Sequence, residues 1–78
     1  MSKVNVYLAD GFEEVEGLTV VDLLRRAGIE TDMVSIMGRK EITGARKIPV
    51  LADKLFEEQD DPDVIVLPDQ ICQTFMRL

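Results

Sequence analysis

The sequence predicts an α/β protein in which a parallel sheet is flanked by helices. Residues 3–8 are rich in Val, Tyr and Leu and run into Asp10-Gly11, a turn signal that ends a buried strand. A helical pattern follows over 14–27, and a second strand pattern over 29–36 comes directly after it. A strand, a helix and a strand joined by short links form a βαβ unit, in which the strands are parallel and the crossover is right-handed.

The helix is predicted from apolar residues that recur every third position. Acidic residues lie in its first turn and Arg25 and Arg26 in its last, which complements the helix macrodipole. Gly28 supplies the left-handed residue at which helices commonly end. The positions expected on the buried face are Val15, Leu18, Val21, Leu24 and Ala27, widened by Val20 and Leu23.

The rest of the chain extends this sheet. Short strands or a hairpin are predicted over 41–51, at the sheet edge, and a short helix over 52–59. Residues 63–68 read as a parallel strand buried on both faces. The strand order would be 2-1-3, as at the start of a flavodoxin-like fold. Residues 69–78 do not fit a further crossover, so we expect only the N-terminal portion of a three-layer sandwich.

Composition excludes several functions. With 78 residues the chain is one domain at most, and 46% hydrophobic and 31% charged residues describe an ordinary globular sequence. A net charge of -6 with scattered basic residues argues against nucleic acid and anionic membranes as partners. The longest apolar run, 64–67, is too short to span a membrane, and the N-terminus has no signal-peptide core, so we expect a cytoplasmic protein.

Cofactor sites are not expected either. The chain has no histidine and one cysteine, Cys72, too few soft ligands for zinc or a transition metal. A single cysteine also forms no internal disulfide and fits a reducing compartment. The first turn carries only Gly11, which is not a glycine-rich phosphate loop, so we predict no nucleotide.

The acids Glu13, Glu14 and Glu16 are the candidate site. They follow the first strand, at the sheet edge where parallel α/β proteins bind ligands. On a helix Glu13 and Glu16 share a face while Glu14 points elsewhere. A carboxylate there can act as a general acid or base or hydrogen-bond a nucleophile. The alternative, left open by the residues, is that these acids only favour the helix dipole.

Two other residues are weaker candidates for a catalytic role. Asp10 ends a strand, as phosphoacceptor aspartates do, but no acidic pair precedes it and no second aspartate follows at the spacing of Asp-x-Asp phosphatases. A turn-forming role is favoured for Asp10. Cys72 has no histidine and no convincing helix start near it to lower its thiol pKa, so we interpret it as an ordinary thiol.

Taken together, these residues resemble the N-terminal part of the DJ-one/ThiJ/PfpI superfamily. The resemblance covers about residues 3–68 and is carried chiefly by Gly-Phe-Glu-Glu-Val-Glu from Gly11 and by Asp-Leu-Leu-Arg-Arg-Ala-Gly up to Gly28. It continues through Met33-Val-Ser-Ile, Lys40-Glu-Ile-Thr-Gly, Ala52-Asp-Lys and 61–68. We therefore expect residues 1–68 to be the N-terminal part of such a domain and 69–78 a divergent tail.

The resemblance implies a flavodoxin-like sandwich, a homodimer and a site without cofactor. In the superfamily a nucleophilic cysteine in a strand-to-helix elbow is assisted by a protonated glutamate, which matches Glu16 here. That role requires a buried carboxyl group with a raised pKa. Where the family strand is normally followed by Gly-Gly, this chain has Asp69-Gln70. The elbow cysteine, which Cys72 does not match, would come after residue 78.

Several functions follow from the resemblance. Full-length members are glyoxalase- or deglycase-like hydrolases acting on small carbonyl compounds, or respond to oxidative stress, and a chain lacking the cysteine would be inactive alone. The chain would then be a truncated or frameshifted product, or a short form that completes its sheet with another copy. A non-catalytic self-association module is the alternative. For the thiamine biosynthesis implied by the ThiJ name, these residues offer no chemical reason.

Overall fold

The computed structural model describes residues 2–68 and contains one α-helix and six strands within them. The predicted βαβ unit is present with small changes at its ends. The elements are β1 (Lys3–Leu8), α1 (Glu14–Arg26), β2 (Glu30–Ser35), β3 (Glu41–Thr43), β4 (Pro49–Leu51), β5 (Lys54–Leu55), a single 3₁₀ turn (Phe56–Glu58) and β6 (Val64–Val66).

The main sheet is parallel, with strand order β5-β2-β1-β6. This confirms the predicted α/β class and the 2-1-3 order of the first three long segments, with β5 added beside β2. The registers place Val6 of β1 between Met33 of β2 and Val66 of β6. The carboxyl ends of β1, β2 and β6 therefore meet at one edge of the sheet, the edge on which α1 begins.

Side chains alternate along β1, so its two faces differ in chemistry. Val4, Val6 and Leu8 belong to the buried apolar cluster that also contains Val21 of α1. On the other face, the ammonium of Lys3 lies 2.6 Å from the Asp32 carboxylate. This second face is polar, and most of its polar groups are paired, although the buried side-chain oxygen of Asn5 has no hydrogen-bond partner in the described structure.

The segment after β5 covers part of that polar face. The side-chain amide of Asn5 donates to the side-chain oxygen of Gln59 at 3.0 Å. The hydroxyl of Tyr7 donates to the same oxygen at 2.8 Å, and the Tyr7 ring meets the Phe56 ring edge-on at 5.6 Å between centroids. The predicted helix over 52–59 is wrong. This segment forms β5 and a single 3₁₀ turn, because its contacts with distant residues, including the pairing of β5 with β2, outweigh the local helix propensity.

The hairpin over 41–51 is present but is not at the edge of the main sheet. Strands β3 and β4 form a separate antiparallel ribbon, with Ile42 opposite Val50. The edge beside β2 is taken by β5, and the ribbon instead inserts the fully buried Ile42 into the core. The hairpin lies across the strand ends, so it can contribute to a site there.

Two predicted burial patterns are wrong. In β6, Val64 is 50% exposed and Ile65 48% exposed, because within residues 2–68 no strand pairs with the outer side of β6. In α1, Val15 is 78% exposed, as the helix is turned so that Glu14, Gly17 and Val21 face inwards.

The left-handed Gly28, at φ 79°, is confirmed. No helix within the described residues is both long and apolar enough to cross a membrane.

Candidate functional site

The strand-to-helix turn after β1 holds the hairpin in place. Gly11, in the left-handed region at φ 87°, donates its backbone N–H to the carbonyl of Thr43 at 2.8 Å. The Asp10 carboxylate accepts the N–H of Thr43 at 3.0 Å and pairs with the guanidinium of Arg39. Asp10 thus does more than form a turn, because it ties β3 to the end of β1.

Glu14 is buried, with 4% of its surface exposed, at the start of α1. Its Oε2 accepts the backbone N–H groups of Arg46 at 2.8 Å and of Ile48 at 3.3 Å, whereas its Oε1, also buried, has no hydrogen-bond partner in the described structure. Burial would raise the pKa of this carboxyl group. The N–H groups of Glu14 itself, Arg46 and Ile48, with the Arg46 charge, nevertheless hold that pKa below its ordinary value.

The turn over 44–48 fits closely around the Glu14 carboxylate. A Cβ at Gly44 would lie 2.3 Å from the Glu14 side chain, so only glycine fits there. The N–H of Lys47, which has φ 64°, donates to the Gly44 carbonyl at 2.9 Å, and the N–H of Ala45 donates to the Phe12 carbonyl at 2.9 Å. The hydrogen bonds to the carboxylate therefore come from backbone N–H groups of the turn, and the Arg46 charge adds to them.

The other two acids have different surroundings. Glu13, at the N-cap of α1, has a half-buried side chain whose carboxylate lies 3.7 Å from the Arg46 guanidinium. Glu16 is exposed, and no hydrogen bond or ion pair of its side chain is found within residues 2–68. The three acids therefore have three different environments. Glu14 is buried and bound to the turn, Glu13 is ion-paired, and Glu16 is exposed with no partner found among residues 2–68.

Close packing beneath Glu16 sets the position of the first helical turn. Phe12 is fully buried, and a Cβ added at Gly17 would lie 2.9 Å from its ring and 3.4 Å from the ring of Pro68. Gly17 therefore lets α1 approach the ends of β1 and β6 closely. Because Gly17 packs against Phe12 and Pro68, the backbone of the adjacent Glu16 has a fixed position at the start of the helix.

This arrangement offers an exposed carboxylate at the carboxyl end of a parallel sheet, suited to proton transfer or to hydrogen-bonding a nucleophile supplied beside it. Residues 2–68 contain no cysteine, and Cys72 lies outside the described residues. No group of three or more metal-ligating side chains is assembled within the described part of the chain.

Comparison with known proteins identifies the relatives of this arrangement. The model of the DJ-1/PfpI family matches residues 2–69, which is most of the chain. The chain belongs to the DJ-1/PfpI family. The resemblance seen in the sequence is thereby confirmed over these residues.

Individual DJ-1/PfpI relatives agree in sequence and in fold. The chain is 34% identical over 68 residues to protein DJ-1 homolog B of Arabidopsis thaliana. It is 37% identical over 65 residues to protein dj-1beta of Drosophila melanogaster, whose crystal structure matches 97% of the chain with a TM-score of 0.85. A mutant DJ-1 superfamily protein of Salmonella typhimurium matches 87% of the chain at 37% identity and a TM-score of 0.83.

The chain spans only part of these DJ-1/PfpI relatives. It covers 16% of the Arabidopsis protein, 35% of the Drosophila protein and 38% of the Salmonella chain, while 85%, 81% and 87% of its own length is matched. The part that is shared is the one described above, with β1, α1 and the hairpin. The assisting role of Glu16 stays a prediction, and its exposure in residues 2–68 differs from the burial that this role requires.

Sequence reasoning included Glu14 among the candidate acids but missed its burial and the 44–48 turn that binds it. Glu14 and Arg46 are 32 positions apart, so no local pattern connects them. Gly44 was the available signal, since a glycine after a short strand marks either a turn or a close backbone approach. Here it marks a close approach, to the carboxylate of Glu14.

Proposed function

We propose that this chain supplies the acid-bearing part of a DJ-1/PfpI thiol site that acts on small reactive carbonyl compounds, as a glyoxalase- or deglycase-like hydrolase. Glu16 is the assisting acid, and the thiol that it assists is not among residues 2–68. Alone, the chain is inactive. We place the protein in the cytoplasm, because a single cysteine in the chain fits a reducing compartment.

One observation supports Glu16 over its neighbours. Glu14 is occupied by the backbone of the 44–48 turn, and Glu13 is paired with Arg46. Glu16 is exposed at the carboxyl end of β1 and has no partner within the described residues. It is therefore the acid that a thiol from outside residues 2–68 can reach, and a covering segment there would also supply the burial that a protonated carboxyl group requires.

A chimera tests the proposal. Residues 2–68 replace the matching segment of Drosophila dj-1beta, and loss of methylglyoxal is followed in the chimera, the parent and the 78-residue chain alone. We expect consumption by the parent and the chimera but not by the chain alone. Glu16→Gln in the chimera should lower kcat/KM by roughly 100-fold or more, the usual contribution of a positioned acid or base.

The matched control is Asp22→Asn, which removes one exposed carboxylate from the same helix. It should alter kcat/KM by less than about threefold, because among the described residues its carboxylate pairs only with Arg26, on the surface of the helix. An active chimera that tolerates Glu16→Gln would refute the role of Glu16. An inactive chimera beside an active parent would refute the claim that this segment supplies the site, and turnover by the chain alone would refute its inactivity.

A second candidate function is self-association, favoured by exposed apolar side chains. Val15 is 78% exposed and Leu51, on the hairpin, is 70% exposed. Val64 and Ile65 expose about half of their surface on the outermost strand of the described sheet. Exposed apolar groups and open strand edges promote association. We propose a homodimer in which α1 and the hairpin contribute to the interface.

Light scattering of the full chain distinguishes this candidate. We expect a dimer that Val15→Lys converts to monomer, because a buried ammonium without a partner opposes association. Asp61→Asn changes the net charge by the same amount at an exposed position and should leave the dimer intact. A well-dispersed monomer of the unmodified chain would contradict the proposal.

A further inference from the structure

We propose that Glu14 is a positioning residue of the site, acting through the 44–48 turn. The buried Glu14 carboxylate holds this turn over the start of α1, and the turn brings Arg46 to Glu13. Glu16 is then the acid that has no paired cation among residues 2–68. The inference rests on the proposed function only in giving Glu16 the chemical role. The structural link from Glu14 to Arg46 stands apart from that role.

Burial of the Glu14 carboxylate at the start of α1 has an energetic cost. A helix start favours a nearby negative charge, but an exposed carboxylate serves that purpose without being removed from water. Glu14 is 4% exposed, and its Oε1 is buried without a hydrogen bond. A buried polar atom without a partner is unfavourable, so the dipole alone does not account for this placement.

The Glu14 carboxylate stabilises the 44–48 turn through two hydrogen bonds. Arg46 and Ile48 direct their N–H groups at a single oxygen, at 2.8 and 3.3 Å. In the turn, Lys47 adopts the left-handed conformation, which is unfavourable for a residue with a side chain. An anion at the centre of the turn offsets that cost, because hydrogen bonds to a charged acceptor are the stronger ones.

Arg46 connects the 44–48 turn to Glu13 at the N-cap of α1. The Arg46 guanidinium is exposed and lies 3.7 Å from the Glu13 carboxylate. Its backbone N–H is held by Glu14, so the side chain starts from a fixed point beside the first turn of α1. If the turn opens, Arg46 loses its fixed point and Glu13 loses its cation. Glu13 would then be an uncompensated acid three positions from Glu16, on the same face of the helix.

The experiment uses the full 78-residue chain and requires no activity. Hydrogen–deuterium exchange by NMR follows the Arg46 and Ile48 amides, with the Val6 amide of the central strand as a reference for unfolding. Glu14→Met keeps the side-chain length and removes both oxygens, whereas Glu14→Gln keeps one acceptor oxygen. Glu41→Gln, at an exposed position of the same hairpin, is the matched control.

We expect Glu14→Met to accelerate exchange at Arg46 and Ile48 by about tenfold or more beyond any change at Val6, since the hydrogen bonds to a charged acceptor are lost. Glu14→Gln should restore most of the protection, and Glu41→Gln should behave as the unmodified chain. Unchanged exchange at Arg46 in Glu14→Met would overturn the proposal. A rise at Val6 as large as the rise at Arg46 and Ile48 would also overturn it, because the turn would then open only when the whole fold opens.

The chimera separates this inference from the proposed function. There, Glu14→Met should lower kcat by about tenfold, with the loss largely restored in Glu14→Gln, a pattern that general destabilisation would not give in folded protein. An unchanged kcat in an active, Glu16-dependent chimera would refute the positioning role alone. Loss of Glu16 dependence, with the turn still opened by Glu14→Met, would refute the proposed function and leave the structural link.

Discussion

Gly17→Ala sets two physical effects of opposite sign against each other. Alanine in place of glycine within a helix adds about 1 kcal/mol of stability, through helix propensity and a smaller loss of backbone freedom. The new Cβ, however, would lie 2.9 and 3.0 Å from two atoms of the Phe12 ring and 3.4 Å from Pro68. Distances below 3.0 Å require one of the groups to move.

The burial of Phe12 decides which effect is larger. Its side chain is fully buried, so the ring cannot swing into solvent to make room. Adding a carbon to a well-packed site typically costs about 1–3 kcal/mol. Subtracting the propensity gain, we expect Gly17→Ala to lower the free energy of unfolding by about 1 kcal/mol, which for a domain of this size lowers Tm by roughly 4–8 °C.

Urea unfolding followed by far-ultraviolet circular dichroism measures this difference. Thr19→Ala is the matched control, because Thr19 is exposed on the same helix and gains propensity without a clash. Adding Phe12→Leu to Gly17→Ala should recover part of the loss and give a favourable coupling of about 1 kcal/mol in a double-mutant cycle. If Gly17→Ala stabilises the chain as Thr19→Ala does, the close approach of α1 to Phe12 is refuted.

Three further predictions follow from the same contacts. The pKa of Glu14 lies below its ordinary value of 4.5, so its contribution to stability is complete above that pH and is lost as the pH falls through the folded value. Urea titrations at about pH 7 and about pH 3 should therefore show a smaller acid loss in Glu14→Gln than in the unmodified chain. Lys3→Met should lower the free energy of unfolding by about 1 kcal/mol in the same assay at neutral pH, since the Asp32 carboxylate loses its contact at 2.6 Å but keeps water and Lys54. Ile42→Ala removes a fully buried hairpin side chain and should cost about 2–5 kcal/mol, whereas a loss below about 0.5 kcal/mol would show that the hairpin is not packed on the core.

The parts of the fold that the sequence predicts correctly are those set by local patterns. The boundaries of β1 and α1, the left-handed Gly28 and the parallel β2 all follow from residues within one element or its neighbour. The errors lie where a distant segment decides the outcome. Val15 is exposed because Gly17, and not the periodicity of large apolar residues, marks the side of α1 that packs closely.

The same distinction applies to the candidate site. The sequence places Glu13, Glu14 and Glu16 at the strand end, and the family motif selects Glu16 among them. It does not predict their different surroundings, because these depend on Arg46 and on the backbone of a turn that is far away in the chain. Helical spacing separates Glu14 from Glu13 and Glu16, but only the hairpin explains why Glu14 is buried.

Three carboxylates in one helical turn repel one another, and the helix dipole offsets only part of that repulsion because it acts on the first turn as a whole. The hairpin changes this balance residue by residue. Backbone N–H groups of the 44–48 turn stabilise one charge at Glu14, and the Arg46 side chain stabilises a second at Glu13. Within the described residues Glu16 receives neither, so its carboxyl group is the one of the three that has no partner there. The proposed assisting role of Glu16 requires this arrangement, because a carboxylate bound to the turn or to Arg46 would first have to give up that contact before it could hydrogen-bond a thiol supplied beside it.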